Sequence, residues 1–292
     1  MKKQITTILL GLLFLTGLSL LLYPTVSDYW NSLHQSRAIA SYAEAVEQMN
    51  TTDYEALREE ARKYNEALLE NDVRLSPTEE QKEWYNKLLN VTGTGIMGYI
   101  EIPSIQCSLP IYHGVEDTVL QIAVGHIEGT SLPVGGESTH AVLSGHRGLP
   151  SARLFTDLDK LAEGDTFLLH VLDETLTYQV DQIRIVEPDN VDDLAIEEGK
   201  DLCTLVTCTP YGINSHRLLV RGHRIETEEE AAAVYVQADA TQIDPLYVAP
   251  LVAIPMLVIL FIWLFVGSGR GASKKKHNNK NGELRDKMDD KK

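Results

Sequence analysis

Cysteine is scarce in this chain. Cys107, Cys203 and Cys208 are the whole complement among 292 residues, too few and odd in number for a disulfide-stapled scaffold. No Gly-rich phosphate loop, no His/Cys spacing suited to a metal and no internal repeat occurs, so the nucleotide, metal and solenoid classes lack their sequence marks. Basic residues are thin where a polyanion would need them. Of 26 Lys and Arg and 42 Asp and Glu, segments 1–3 and 268–292 hold 11 and 4, leaving 15 positive against 38 negative charges between them. That net of −23 argues against nucleic acid and against docking on anionic lipid, because phosphate contacts are made by Lys and Arg.

Apolar runs, by contrast, are present at both ends. Ile5 to Leu22 follows Lys2 and Lys3 and is long enough to cross a hydrocarbon core of roughly 30 Å as a helix. A cleaved signal peptide would need a small-x-small site, but the run continues into Leu22-Tyr23-Pro24 and a polar helical pattern, so it reads as an uncleaved anchor. Tyr247 to Val266 is also uncharged, is interrupted by Pro250 and Pro255, and is followed by Arg270 and Lys274-Lys275-Lys276. Prolines are tolerated in membrane helices. Positive charge flanking the outer end of each run predicts both termini in the cytoplasm and the middle outside.

Between the runs the pattern changes once. Over 32–89 it is helical: Ile39, Tyr42, Val46 and Met49 share one face, and Tyr54, Leu57, Ala61, Tyr64 and Leu68 another. Thr52 with Glu55 predicts a capped start, as does Ser76 with Pro77 and Glu79, and 70–76 is a polar gap. These helices read as a spacer or a cover. From Val91 the texture is β: 98–103, 141–144, 166–171, 175–180, 182–186, 201–207 and 217–221 are β-rich runs separated by Gly, Pro or acidic turns, with a hairpin expected at Asp173-Glu174. Short strands at this spacing predict a closed or nearly closed barrel. Cys107 shares the period-2 face of its apolar neighbours and Cys203 alternates with Leu205, so both read as buried structural thiols, and a bridge between them is compatible with the sequence.

Reactive residue types gather at strand ends. Cys208 stands where Thr204-Leu205-Val206-Thr207 runs into Pro210-Tyr211-Gly212, at a rim. Arg217 opens the next β run, so an antiparallel return brings it back beside the thiol. His146 follows another apolar strand and lies between Gly145 and Gly148, which let the backbone turn sharply. This trio suffices for acyl transfer: an adjacent cation favours the attacking thiolate, an imidazole moves the amine proton, and a forked guanidinium stabilises an oxyanion. No Asp or Asn partner for the histidine is identifiable, so a papain-like triad is not supported. His126 and His216 are assigned structural or rim roles, and Arg147, Arg221 and Arg224 are competing cations.

Thr204 to Cys208 matches the TLxTC signature, and with it the chain resembles the sortases. Leu109-Pro-Ile-Tyr-His-Gly114, Gly125-His-Ile-Glu-Gly-Thr130, Leu132-Pro-Val-Gly-Gly136, Ser144-Gly-His-Arg-Gly148, Thr207-Cys-Thr-Pro-Tyr-Gly-Ile213 and Arg217-Leu-Leu-Val-Arg-Gly222 are similar to class C, pilin-polymerising members, over about residues 91–226. The resemblance implies a mainly β fold, a closed sortase-type barrel of about eight strands, with Cys208 as nucleophile, His146 as acid and base, Arg217 as substrate and oxyanion ligand, and Thr207 in the substrate site. It also implies an LPxTG-like sorting signal as substrate, a lysine amine of a pilin subunit as acceptor, a Gram-positive plasma membrane as location, and no metal or organic cofactor. The organisation expected is an anchor at 1–24, a helical lid or spacer at 25–90, the barrel at 91–226, a linker at 227–246, a transmembrane helix at 247–267 and a basic cytoplasmic tail at 268–292. Class C members carry an Asp-Pro-aromatic lid motif, whereas Asn71-Asp72-Val73-Arg74-Leu75-Ser76-Pro77 stands here. The lid candidates are then Asp72 and Arg74, expected near the barrel mouth with little or no plugging. Attachment of single proteins to cell-wall peptide, and a non-catalytic binding module, are the alternatives.

Overall fold

A computed structural model describes residues 2–70 and 75–227. The second apolar run, the linker from 228, the tail, and the lid candidates Asp72 and Arg74 therefore lie outside the described residues. The elements are α1 (Lys2–Glu47), α2 (Thr51–Leu69), α3 (Glu79–Tyr85), β1 (Ile96–Ile102), β2 (Cys107–His113), α4 (Asp117–Leu120), β3 (Val124–His126), β4 (Thr139–Ser144), β5 (Thr166–Val171), β6 (Glu174–Val186), β7 (Asp201–Thr209) and β8 (His216–Ile225). By length and composition, the apolar first part of α1 is able to cross a membrane. Up to Thr25 this helix belongs to one unit, and a second unit, beginning at Val26, contains the rest of α1 and all the other elements.

The eight strands close into a barrel in the order β1-β2-β3-β4-β7-β8-β6-β5, with parallel pairing only at β2/β3 and β4/β7. Closure leaves no free edge for another chain to pair with. Side-chain alternation decides what fills it. Ala141, Leu143, Cys203, Leu205, Leu218 and Val220 point into the main core beside Phe155, Phe167 and Tyr178, whereas Val142, Val206 and Leu219 form a second, outer cluster under Leu194. The expected runs 175–180 and 182–186 are one strand, β6, whose register shifts between Val180 and Gln182. At that shift Asp181 receives two hydrogen bonds of 3.0 Å from Arg221. The hairpin expected at Asp173-Glu174 is a two-residue turn, Leu172-Asp173, with Val171 paired to Glu174. All three cysteines are free, so no bridge joins Cys107 and Cys203. Burial raises the pKa of the Cys107 thiol to about 12 and lifts that of Cys203 well above its usual range.

The helices are docked on the barrel by buried polar side chains that reach backbone atoms. The Tyr42 hydroxyl of α1 donates to Met97 O at 3.0 Å and accepts from Leu172 N at 2.8 Å, and burial raises its pKa to about 12. Asn65 of α2 imitates a strand: its Oδ1 accepts from Leu132 N at 2.7 Å and its Nδ2 donates to Leu132 O at 3.1 Å. Tyr85 of α3 holds its hydroxyl 2.9 Å from His126 Nδ1 and accepts from Gly114 N at 3.1 Å. A free-standing spacer would leave such groups to water. The two expected caps are shifted. Asn50, not Thr52, caps α2 by accepting from Asp53 N, and Thr78 with Gln81 forms the capping box of α3, so Pro77 precedes that helix instead of opening it. In each case the residue with extended φ/ψ whose side chain reaches the N3 amide takes the role.

Candidate active site

Three neighbouring chain segments carry the predicted residues at one end of their strands. In the antiparallel pair β7/β8, Cys208 lies directly opposite Arg217, so their side chains leave the same face. In the parallel pair β4/β7, Thr139 matches Asp201 and Ser144 matches Val206. The ladder ends there, with Gly145 N donating to Val206 O at 3.0 Å, and just past it Thr207 Oγ1 donates to Gly145 O at 2.8 Å. His146 follows Ser144 by two residues as Cys208 follows Val206, so the two stand on neighbouring segments just past the paired ends, and on β6 the position opposite Arg217 is Val186.

Alternation along β7 settles which groups face outward. Cys208 follows Val206 on the outer face and is partly exposed. Thr207, expected in the substrate site, points inward: it is 2% exposed and its hydroxyl is committed to Gly145 O. Adjacent residues on a strand face opposite ways, so Thr207 steadies the peptide before His146 and its hydroxyl does not line the reacting face.

His146 stands on a tightly packed corner. Phe155 N donates to its carbonyl at 3.1 Å. A Cβ on Gly145 would lie 2.7 Å from the Phe155 ring, and one on Gly148, where φ is +75°, would lie 2.8 Å from Tyr211. Close approach requires glycine at both positions, and at Gly148 the positive φ requires it as well. Across the thiol, the turn between β7 and β8 exposes Tyr211 and Ile213 at 61% and 72%. Its closure is local, with Ile213 N and Asn214 N both donating to Pro210 O.

The competing cations are already occupied. Arg221 is paired with Asp181 and Glu197, which raise its pKa further. Arg147 is paired with Asp159, and Arg224 lies over the Tyr178 ring. Arg217 has no carboxylate partner among the described residues. Its Nη1 reaches only the carbonyls of His216 at 3.2 Å and Asn214 at 3.4 Å, which leaves guanidinium donors for a ligand. His126 is fully buried with a pKa lowered to about 4 by desolvation, a structural histidine. His216 is at the rim, 3.4 Å from Glu187. Among the described residues no group of acidic, His and Cys side chains could hold a metal ion.

A family model for the sortase domain matches residues 100–225. Among solved structures the chain is similar to sortase C1 of Streptococcus agalactiae, at 52% identity and a TM-score of 0.64, covering 66% of this chain and 100% of that one. It is also similar to sortase C of Streptococcus pneumoniae, at 45% identity and a TM-score of 0.58, covering 65% and 97%. Sortase D of Bacillus subtilis is 30% identical over 131 residues, 44% of this chain and 63% of that protein, which is less than two thirds of its length.

Proposed function

Given that this chain belongs to the sortase family, in its class C branch, we propose that it is a membrane-anchored cysteine transpeptidase that joins pilin subunits at the outer face of a Gram-positive plasma membrane. The observation that carries the reading is the direct pairing of Cys208 with Arg217, with Arg217 the one of its neighbouring arginines that has no acid or aromatic partner among the described residues, and with His146 just past the end of the strand paired to β7. In the forward half-reaction the Cys208 sulfur attacks the Thr carbonyl carbon of an LPxTG-like signal. The oxyanion that forms is met by the Arg217 guanidinium, a charge-assisted donor worth far more against an anion than against a neutral carbonyl. Collapse breaks the Thr–Gly C–N bond, and the amine leaves with a proton from His146. In the second half a pilin lysine amine attacks the thioester, His146 takes its proton, and the Cys208 thiolate is released.

Both termini are assigned to the cytoplasm on the charge flanking the apolar runs. The pneumococcal relative is described in terms of pilin substrate specificity, which supports a pilin as donor and acceptor here. Intact mass of the full chain after incubation with an LPxTG-type peptide tests the proposal. We expect an adduct on the wild type that Cys208→Ala lacks and that a pilin lysine discharges. An adduct that survives in Cys208→Ala would reject the assignment of the nucleophile, and release only to water or cell-wall peptide would reject the pilin acceptor.

A further inference from the structure

We propose that Arg147 is a positioning residue, a brace that fixes the separation between the His146 and Cys208 segments. The inference rests on the roles just assigned to those two residues.

The backbone around Arg147 is tied at Gly145, His146 and Gly148, to Val206 and Thr207, Phe155 and Thr156, and of these ties only those at Gly145 reach the Cys208 segment. Arg147 lies one residue past His146, beyond the end of β4, with Gly145 before and Gly148 after. Its side chain, only 10% exposed, reaches two other segments of the chain. On the histidine side, Nη2 is paired with Asp159 in the short 3₁₀ turn Leu158–Lys160. On the thiol side, Nη1 donates to Thr209 Oγ1 at 3.4 Å, and Thr209 is the residue after Cys208. The guanidinium carbon also lies 5.9 Å from the centre of the Tyr211 ring, within cation–π range. One planar group therefore touches the corner after β4, the end of β7 and the turn between β7 and β8.

The same geometry is a poor arrangement for stability alone. The Arg147 Nε is buried and has no hydrogen-bond partner, and a largely buried guanidinium with one carboxylate does not recover its full desolvation cost. An apolar residue of similar length is tolerated well at such sites. A bracing role and a stabilising role thus predict opposite results for Arg147→Met.

The test uses the full chain in detergent, an LPxTG-type peptide as donor and a lysine peptide as acceptor. We expect Arg147→Met to melt within a few degrees of the wild type, while kcat falls at least about tenfold and KM stays within about twofold. Arg147→Lys keeps the charge and the Asp159 pair but not the fork, and should recover part of the rate. Asp159→Asn, which loosens the same brace from a half-exposed position, should lower kcat in the same sense. Wild-type kcat in Arg147→Met, or a proportional fall in melting temperature and rate with wild-type kinetics in Asp159→Asn, overturns the proposal. If Arg147→Met does not fold, Asp159→Asn and Arg147→Lys decide on the same criteria. Cys208→Ala and His146→Ala run alongside: turnover in either rejects the reading of the site itself, whereas inactivity in both with wild-type kinetics in the Arg147 and Asp159 variants rejects the brace alone.

Discussion

Replacing Asn65 by alanine tests whether the helices are part of the barrel fold. Asn65 is 4% exposed and Leu132 fully buried, and the two bonds between them, 2.7 and 3.1 Å, satisfy both the amide N–H and the carbonyl of Leu132. Asn65→Ala removes the partner of the Leu132 amide, whereas the Leu132 carbonyl keeps the bond it accepts from Val134 N at 2.8 Å. A buried polar group left unmatched costs about 1–3 kcal/mol, a sizeable share of the roughly 5–15 kcal/mol that holds a domain folded. With a urea dependence of about 2 kcal/mol per molar, the unfolding midpoint falls by about 0.5–1.5 M. Trp84, whose ring is 5.3 Å from Tyr64 on the same helix as Asn65, provides the fluorescence signal. Hydrogen exchange gives a local readout, since 2 kcal/mol corresponds to about a 30-fold faster opening at the Leu132 amide. Asn65→Asp should be worse, because it sets an acceptor against the Leu132 carbonyl and buries a charge. An unchanged midpoint with unchanged exchange at Leu132 would refute the claim that this pair locks α2 to the barrel.

Three further outcomes are expected from the packing and the site. Gly145→Ala places a methyl group 2.7 Å from the ring of fully buried Phe155, an overpacking that costs about 1–3 kcal/mol, and it should lower both the melting temperature and the transpeptidation rate by displacing His146. Acid stability should be set in part by His126, whose pKa burial lowers to about 4. Unfolding takes up a proton below the ordinary histidine value near 6.5, so stability is lost as pH falls from about 6.5 to 4, by about 3 kcal/mol from this group, and urea midpoints of His126→Asn should show a shallower decline over that window. Arg217→Lys keeps the charge but loses the fork, and peptide acylation should drop by about 10²-fold, the scale for one oxyanion donor, while alkylation of Cys208 by iodoacetamide stays close to wild type.

The sequence discloses the barrel unevenly. Runs such as Thr166–Val171 and Asp201–Thr209 are legible because they alternate or are wholly apolar and end at Gly or Pro. The strand Val124–His126 is too short to carry a period, and Cys107–His113 is interrupted by Pro110. The site residues stand out by type and by their position at strand ends, yet their alignment comes from the parallel β4/β7 pairing of segments 62 positions apart, for which no local pattern exists. Docking of the helices is equally silent, because Tyr42, Asn65 and Tyr85 are matched to backbone atoms far along the chain. Thr207 was readable: its neighbour Cys208 faces outward, so strand alternation alone sends the threonine in.

Cys208, Arg217 and His146 are held by unequal means. Cys208 and Arg217 face each other within a ladder, and β8 is bonded to β7 on one side and to β6 on the other, so neither backbone can shift without breaking several bonds. His146 stands past the end of β4, and its position depends on contacts that differ in kind: the Thr207 hydroxyl on Gly145 O, the Phe155 ring on Gly145, and the Phe155 amide on the His146 carbonyl. In the proposed mechanism the histidine serves two half-reactions, giving a proton to one amine and taking one from the next, so a displacement of about 1 Å is felt in both. Conservative changes around His146 should therefore slow turnover more than changes of equal size around Arg217, because the ladder absorbs the second and only a few side chains resist the first.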